Sequence, residues 1–289
     1  MAPNEQPGVG PGTTDPEAPT TAFVLGGGGK WGAVQVGMLA ALVRAGVRPD
    51  LVLGCSIGAI NGAAFAAQPD TAGVARLREV WEAFTVDGTF SLRNRHPVRA
   101  PRGALDDATS LRRAVEAAVP VRRFEDLVVP FQCVAADIEA ADERWFDRGD
   151  LTGPIVASAS VPGVFPPAEI DGHHYYDGGL VNSIPVDRAV AEGATRVFVL
   201  QVGRIEEPLR PPRRLYESAL VALEIARRHR YSSALRQRPD HVEVHVLPTG
   251  SPVAFDDRRQ LRMTDASDAL DRLLRAEESA DAYLEGLSG

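Results

Sequence analysis

Two glycine-framed stretches and one acidic turn carry the residues able to do chemistry in this sequence. Gly54-Cys55-Ser56-Ile57-Gly58 fits the pattern G-x-S-x-G. In that pattern, small residues two positions either side of a serine relieve crowding at a sharp strand-to-helix turn and leave the hydroxyl free to act as a nucleophile. Glycine is common enough, at about 7% of residues, that the pattern arises by chance in roughly one chain in ten of this size, so its surroundings decide. The apolar run Leu51-Val52-Leu53 precedes it, and the small apolar stretch from Ile57 to Ala67 follows at once. That is the strand, turn and helix the pattern requires. A helix beginning beneath Ser56 favours negative charge there by about 0.3–1 kcal/mol. The competing role for Ser56 is a plain helix cap.

Gly26-Gly27-Gly28-Gly29-Lys30-Trp31-Gly32 is the second stretch, again between an apolar run (Ala22 to Leu25) and a helical pattern. It contains G-x-G-x-x-G at 27–32, which admits a dinucleotide fingerprint or a cradle of backbone N–H groups for a developing oxyanion. A dinucleotide site needs an acidic residue at the end of the second strand, whereas Asp50 precedes that strand and the strand ends at the serine turn. Lys30 is followed by Trp31 rather than Ser or Thr, so the stretch is not a phosphate loop of the P-loop kind. Adjacent parallel strands bring both turns to one carboxyl edge of a sheet, which favours the oxyanion role. Lys30 either points to water or meets an anionic head group of a substrate.

A serine nucleophile needs a base, usually histidine. Of the six histidines, His96, His173, His174, His229, His241 and His245, none lies in a loop built to present it. His173 and His174 are expected as surface strand residues beside an Asp-Gly hairpin signal at Asp171-Gly172. Asp177 follows that hairpin and opens Asp177-Gly178-Gly179, where a carboxylate could take the Ser56 proton directly. Asn182, just beyond, is expected to hold the loop by side-chain hydrogen bonds.

The elements that must position these groups alternate strand with helix almost throughout. Apolar runs at 22–25, 51–53, 128–135, 144–147 and 196–202, the hairpin at 169–176 and a last run at 242–247 predict strands. Helical spacing covers 33–45, 57–67, 70–84, 111–119, 152–161, 186–192, 215–238 and 267–287. This order predicts a three-layer α/β/α fold with a mostly parallel central sheet. Residues 1–20, rich in Pro, Gly and Thr, are expected as a disordered leader ahead of a domain at 21–289 with a motif-bearing core at 22–202. Residues 85–107 are expected as a loop or flap.

Composition narrows the function classes. A formal charge of −8 argues against a polyanion such as nucleic acid as partner. Of 31 basic residues a single one, Lys30, is lysine. Cys55 and Cys133 sit in apolar runs and are expected as buried thiols, which fits a reducing cytoplasm. No apolar stretch reaches spanning length and no secretory signal is visible. The arginine-rich stretch 204–238 is expected as a solvated helix face, as a membrane-docking or lid element, or as a partner for the acidic residues of 265–285.

Four segments in fixed order give the chain a resemblance to the bacterial patatin-like phospholipases: the glycine loop 26–32, the turn Gly54 to Gly58, the stretch Ser158 to Pro167, and Asp177 to Pro185. The resemblance spans about residues 22–202. It implies a patatin-like α/β fold and a Ser–Asp dyad without histidine, with Ser56 as nucleophile and Asp177 as general base. It implies an oxyanion hole from the N–H groups of Gly28 and Gly29, with Gly27, Gly32, Gly54, Gly58, Gly178 and Gly179 as motif glycines. It further implies lipid acyl esters as substrates and no metal or cofactor; a cytoplasmic chain that can contact the inner membrane surface peripherally is the accompanying expectation. One position departs from the family pattern: Trp31 stands where the family usually has Arg or Lys, and the cation is displaced to Lys30. An idle lipid-binding scaffold and an acyltransferase are the alternatives on the same fold.

Overall fold

The strand Thr21–Leu25 (β1) is buried along its whole length, and its side chains alternate between two apolar clusters. Phe23 and Leu25 face one way; Ala22 and Val24 face the other. Such two-sided burial is what an unbroken apolar run dictates for a strand inside a parallel sheet. The computed structural model describes residues 20–87, 108–212, 215–253 and 268–288. Residues 1–19 of the expected leader and 88–107 of the expected flap lie outside them.

The remaining strands are Leu51–Cys55 (β2), Phe131–Asp137 (β3), Asp142–Phe146 (β4), Ala168–Ile170 (β5), His173–Asp177 (β6), Arg196–Leu200 (β7) and Glu243–Val246 (β8). They form one sheet in the order β5-β6-β3-β2-β1-β7-β8, with β4 paired to β3. The pairs β1–β2, β1–β7, β2–β3 and β7–β8 are parallel, whereas β3–β4, β3–β6 and β5–β6 are antiparallel. The sheet is thus mixed and mostly parallel.

Helices cover both faces. Ala33–Arg44 (α1), Ile57–Ala67 (α2), Thr71–Asp87 (α3), Ala108–Ala118 (α4), Thr152–Ser158 (α5) and Ala269–Ser288 (α8) contribute to the cluster around Phe23. Val186–Ala191 (α6) and Leu215–Gln237 (α7) contribute to the cluster around Val24. Phe23 stacks on Phe65 at 6.0 Å and meets Phe198 edge-on at 5.8 Å. Burying one such side chain is worth about 1.5–3 kcal/mol.

Several expectations shift in register. The strand expected at 128–135 runs from Phe131, because Pro130 has no N–H to give; its carbonyl accepts the Val52 N–H at 2.9 Å, and Val128 is 68% exposed. The helix expected at 152–161 stops at Ser158, as Pro162 ends the helical path. The 70–84 helix continues to Asp87, into the stretch expected as a flap. The Asp171-Gly172 turn has φ of 53° and 79°, the left-handed pair that a two-residue hairpin demands.

Among the described residues, no ion pair joins the acidic residues of α8 to the arginine-rich stretch. Glu277 pairs with Arg44 and Arg78, and Asp281 with Arg44. The physical reason is placement: α8 packs on α1, on the face of the sheet opposite α7. No helix among the described residues is long and apolar enough to cross a membrane.

Candidate active site

Ser56 sits between β2 and α2 with φ of 56°, the left-handed region that a residue with a side chain enters only under strain. It occupies the cap position of α2, yet its hydroxyl caps nothing. Ser56 Oγ donates instead to Asp177 Oδ2 at 2.5 Å. The two residues are 121 positions apart and are 5% and 6% exposed. The plain cap role for Ser56 is therefore overturned, because the strained turn swings its oxygen away from the amides of α2.

The turn depends on close backbone contact. A Cβ on Gly58 would lie 2.1 Å from the carbonyl oxygen of Leu25, so only glycine lets α2 start against the end of β1. The Ser56 N–H donates to Ser158 Oγ at 2.9 Å, which ties the turn to α5.

Asp177 is the last residue of β6, and its N–H donates to Ser160 O at 2.9 Å. Its Oδ1 accepts the Gly179 N–H at 2.7 Å, leaving Oδ2 for Ser56. A Cβ on Gly178 would fall 2.2 Å from Val134 O, which is why the chain can turn sharply here against β3. Burial pushes the Asp177 carboxyl above its ordinary value, while the Ser56 and Gly179 hydrogen bonds and the nearby charge of Arg227 pull it back down.

The glycine loop leaves β1 beside this pair. A Cβ on Gly27 would stand 3.2 Å from Ser56 Cβ and 3.4 Å from Cys55 Sγ. The Gly26 N–H donates to Leu200 O and the Gly27 N–H to Ser183 O, at 3.1 and 3.0 Å. The N–H groups of Gly28 and Gly29 donate to no acceptor among the described residues. A short 3-10 helix, Gly29–Gly32, then leads into α1.

A chain of buried amides pins both ends of this loop. Gln35 Nε2 donates to Gly26 O at 2.7 Å and Leu200 O at 3.0 Å. Asn61 Nδ2 donates to Gly32 O at 3.0 Å and to Gln35 Oε1 at 2.9 Å, and Trp81 Nε1 donates to Asn61 Oδ1 at 3.1 Å. Sequence reasoning missed these residues; the signal was a lone amide in each of two otherwise apolar helices.

The other candidates fall as follows. Lys30 does not point to water. It is 4% exposed, with its ammonium 4.4 Å from the Trp31 ring centroid. Arg272 of α8 lies over the same ring at 4.3 Å. Gly32 and Gly54 serve packing against Ile57 and Ala59. Cys55 and Cys133 are buried free thiols, and burial pushes both thiols up; Asp177 adds to the effect at Cys55. Asn182 Nδ2 donates to Glu143 and Asp187 at 3.1 and 2.9 Å, the loop-holding role expected of it. His173 and His174 are surface-facing, and His245 stacks on Phe198 at 4.9 Å; His96 lies outside the described residues. Asp137, Glu139 and His173 have potential ligand atoms within 4.8 Å of one another, but Glu139 already binds His174 at 2.7 Å.

The arginine-rich stretch is not a uniformly solvated face. Arg204, Arg227 and Arg228 turn inward around the buried Glu224, at 3.1, 3.0 and 3.7 Å. Burial and the neighbouring Arg227 bring the Arg204 guanidinium down to about 10, with Glu224 acting in the opposite direction.

A family model described as patatin-like phospholipase matches residues 23–190, and the chain belongs to that family. Among curated relatives, patatin-like phospholipase domain-containing protein 7 of Rattus norvegicus is 34% identical over 188 residues, covering 64% of this chain and 14% of that protein. Neuropathy target esterase sws of Drosophila melanogaster is 31% identical over 183 residues, covering 63% of this chain and 13% of that protein. The chain thus spans only a small part of the length of these relatives. Among solved structures, VipD from Legionella pneumophila superposes with a TM-score of 0.47 at 12% identity, covering 93% of this chain and 67% of that one.

Proposed function

We infer that the chain hydrolyses fatty acyl esters of lipids through an acyl-enzyme on Ser56. The observation that carries this reading is the buried Ser56 Oγ to Asp177 Oδ2 hydrogen bond at 2.5 Å, at the mouth of a loop with two undirected backbone N–H groups. Phospholipase and esterase relatives support a lipid ester as substrate. So does Leu180, which is 40% exposed three residues beyond Asp177.

In this reading Ser56 Oγ attacks the ester carbonyl while its proton passes to Asp177 Oδ2. The carbonyl oxygen becomes an oxyanion, accepting the N–H groups of Gly28 and Gly29. Collapse expels the alcohol, which takes the proton from Asp177, and leaves the acyl group on Ser56. Water then gives a proton to Asp177 and attacks the acyl carbonyl. The fatty acid departs as Ser56 regains its proton.

The test is hydrolysis of a lipid panel by the wild type, Ser56→Ala and Asp177→Asn. Each variant should lower turnover by about 10³-fold or more. Undiminished hydrolysis in both would sink the dyad. An idle scaffold would fail to react with a fluorophosphonate probe, and an acyltransferase would form a new ester when an alcohol acceptor is added.

A further inference from the structure

Arg227 lies in α7, beyond the residues matched by the family model, yet it touches the glycine loop. Its Nη2 donates to Gly27 O at 3.3 Å and to Ser183 Oγ, and its Nη1 donates to Glu224 Oε1 at 3.0 Å. Ser183 also takes the Gly27 N–H on its carbonyl at 3.0 Å. Both polar groups of Gly27 are therefore held, one by the Asn182-Ser183 loop and one by α7.

The Gly27 carbonyl and the Gly28 N–H belong to one planar trans peptide. They point in opposite directions, so anchoring the oxygen fixes where the N–H aims. A cation at that oxygen also draws electron density toward it and makes the N–H a stronger donor. Resting on the reading of Gly28 as an oxyanion donor, we propose that Arg227 is a positioning residue for the oxyanion hole. Its guanidinium holds the Gly27–Gly28 peptide with the Gly28 N–H facing the acyl oxygen.

A binding site for the substrate's own anionic group fits the cluster less well. The cavity bordered by Gly27, Val202, Arg204 and Arg227 has about 20 Å³ of room, the space of a single water molecule. Both Nη groups of Arg227 are already committed to protein acceptors. Arg227 also shares the Glu224 carboxylate with Arg204 and Arg228. Asp177 itself faces the Ser56 hydroxyl, the Gly179 amide, the Arg227 charge and the neutral Cys55 thiol.

Two substitutions separate orientation from charge. Arg227→Met removes both, and should lower kcat by about 10²-fold, the scale of a lost oxyanion donor, while KM changes by less than about threefold. It should also move the acidic limb of the kcat profile to higher pH, because Asp177 loses a nearby positive charge. Arg227→Lys keeps the charge but cannot bridge Gly27 O, Ser183 Oγ and Glu224 at once. It should lower kcat by about tenfold and leave the acidic limb in place. Arg228→Gln, whose guanidinium binds Glu207 O and Arg204 O, serves as the neighbouring control and should keep wild-type kcat. Thermal unfolding establishes that each variant is folded; if the Met variant is not, the Lys variant decides. Wild-type kcat in a folded Arg227 variant, or an equal loss in Arg228→Gln, would overturn the proposal. Absence of Ser56-dependent fluorophosphonate labelling in the wild type would instead overturn the dyad on which it rests.

Discussion

The backbone N–H of Ser56 donates to the side-chain oxygen of Ser158 at 2.9 Å, so the last residue of α5 holds the turn that opens α2. Both residues are buried. Ser158→Ala removes the acceptor and leaves a buried N–H unmet, at a cost of about 1–3 kcal/mol. Urea unfolding should show that loss together with a lower kcat. A variant as stable as the wild type would mean that water or another group satisfies the turn.

The left-handed backbone at Ser56 gives a second prediction. Ser56→Ala and Ser56→Gly both lose the hydroxyl and both should be inactive. Glycine adopts φ of 56° without strain. Ser56→Gly should therefore be more stable than Ser56→Ala by about 1 kcal/mol, measured by parallel urea titrations. Equal stability would show that the turn relaxes on substitution.

The pH dependence follows from the raised carboxyl of Asp177, whose first cause is burial. The fold favours the protonated form relative to the unfolded chain. That contribution to stability is complete below the unfolded value and is lost as pH rises through the folded one. In the proposed mechanism Asp177 must be ionised, so activity runs the other way and kcat should fall as pH drops through the same window. Asp177→Asn should lack this component of the stability slope. Identical slopes in urea titrations of the two proteins across that window would contradict the assignment.

The ring of Trp31 meets both the Lys30 ammonium at 4.4 Å and the Arg272 guanidinium at 4.3 Å, contacts that join the glycine loop to α8. Trp31→Arg puts a third cation close to these two in a buried site. It should cost about 3 kcal/mol or more, from lost aromatic packing and from lost attraction to both cations. Differential scanning calorimetry measures the outcome, and a Tm equal to that of the wild type would show that the stack stabilises nothing.

Much of the fold was legible because β1, β2 and β7 are continuous apolar runs, the signature of strands covered on both faces. The Ser56 turn and the Asp171-Gly172 hairpin were legible from local backbone demands that few residues meet. The supports of the site were not. Gln35, Asn61 and Ser158 act through contacts separated by tens of residues or more, which no local periodicity records. Arg227 was hidden by its own neighbourhood: in a helix crowded with arginine, inward and outward guanidiniums look alike. The sequence did hold one clue, Glu224 set three residues before Arg227 in the apolar middle of the helix, an acid around which buried cations could gather. Of the two alternatives for Lys30, the solvent-facing one failed because charge alone suggested water, whereas the adjacent indole offers an aromatic face.

The β1–β2 pairing aligns Leu25 with Gly54, so the glycine loop and the serine turn leave the sheet at the same height. A slip of one residue would offset them by about 3.3 Å and reverse every side chain of the strand. The distance between the Ser56 turn and the glycine loop is therefore inherited from the innermost pairing of the molecule, with no hinge of its own. Heat or denaturant should take away the chemistry and the fold in one cooperative event, and a refolding chain regains a competent centre only once these two strands have found each other.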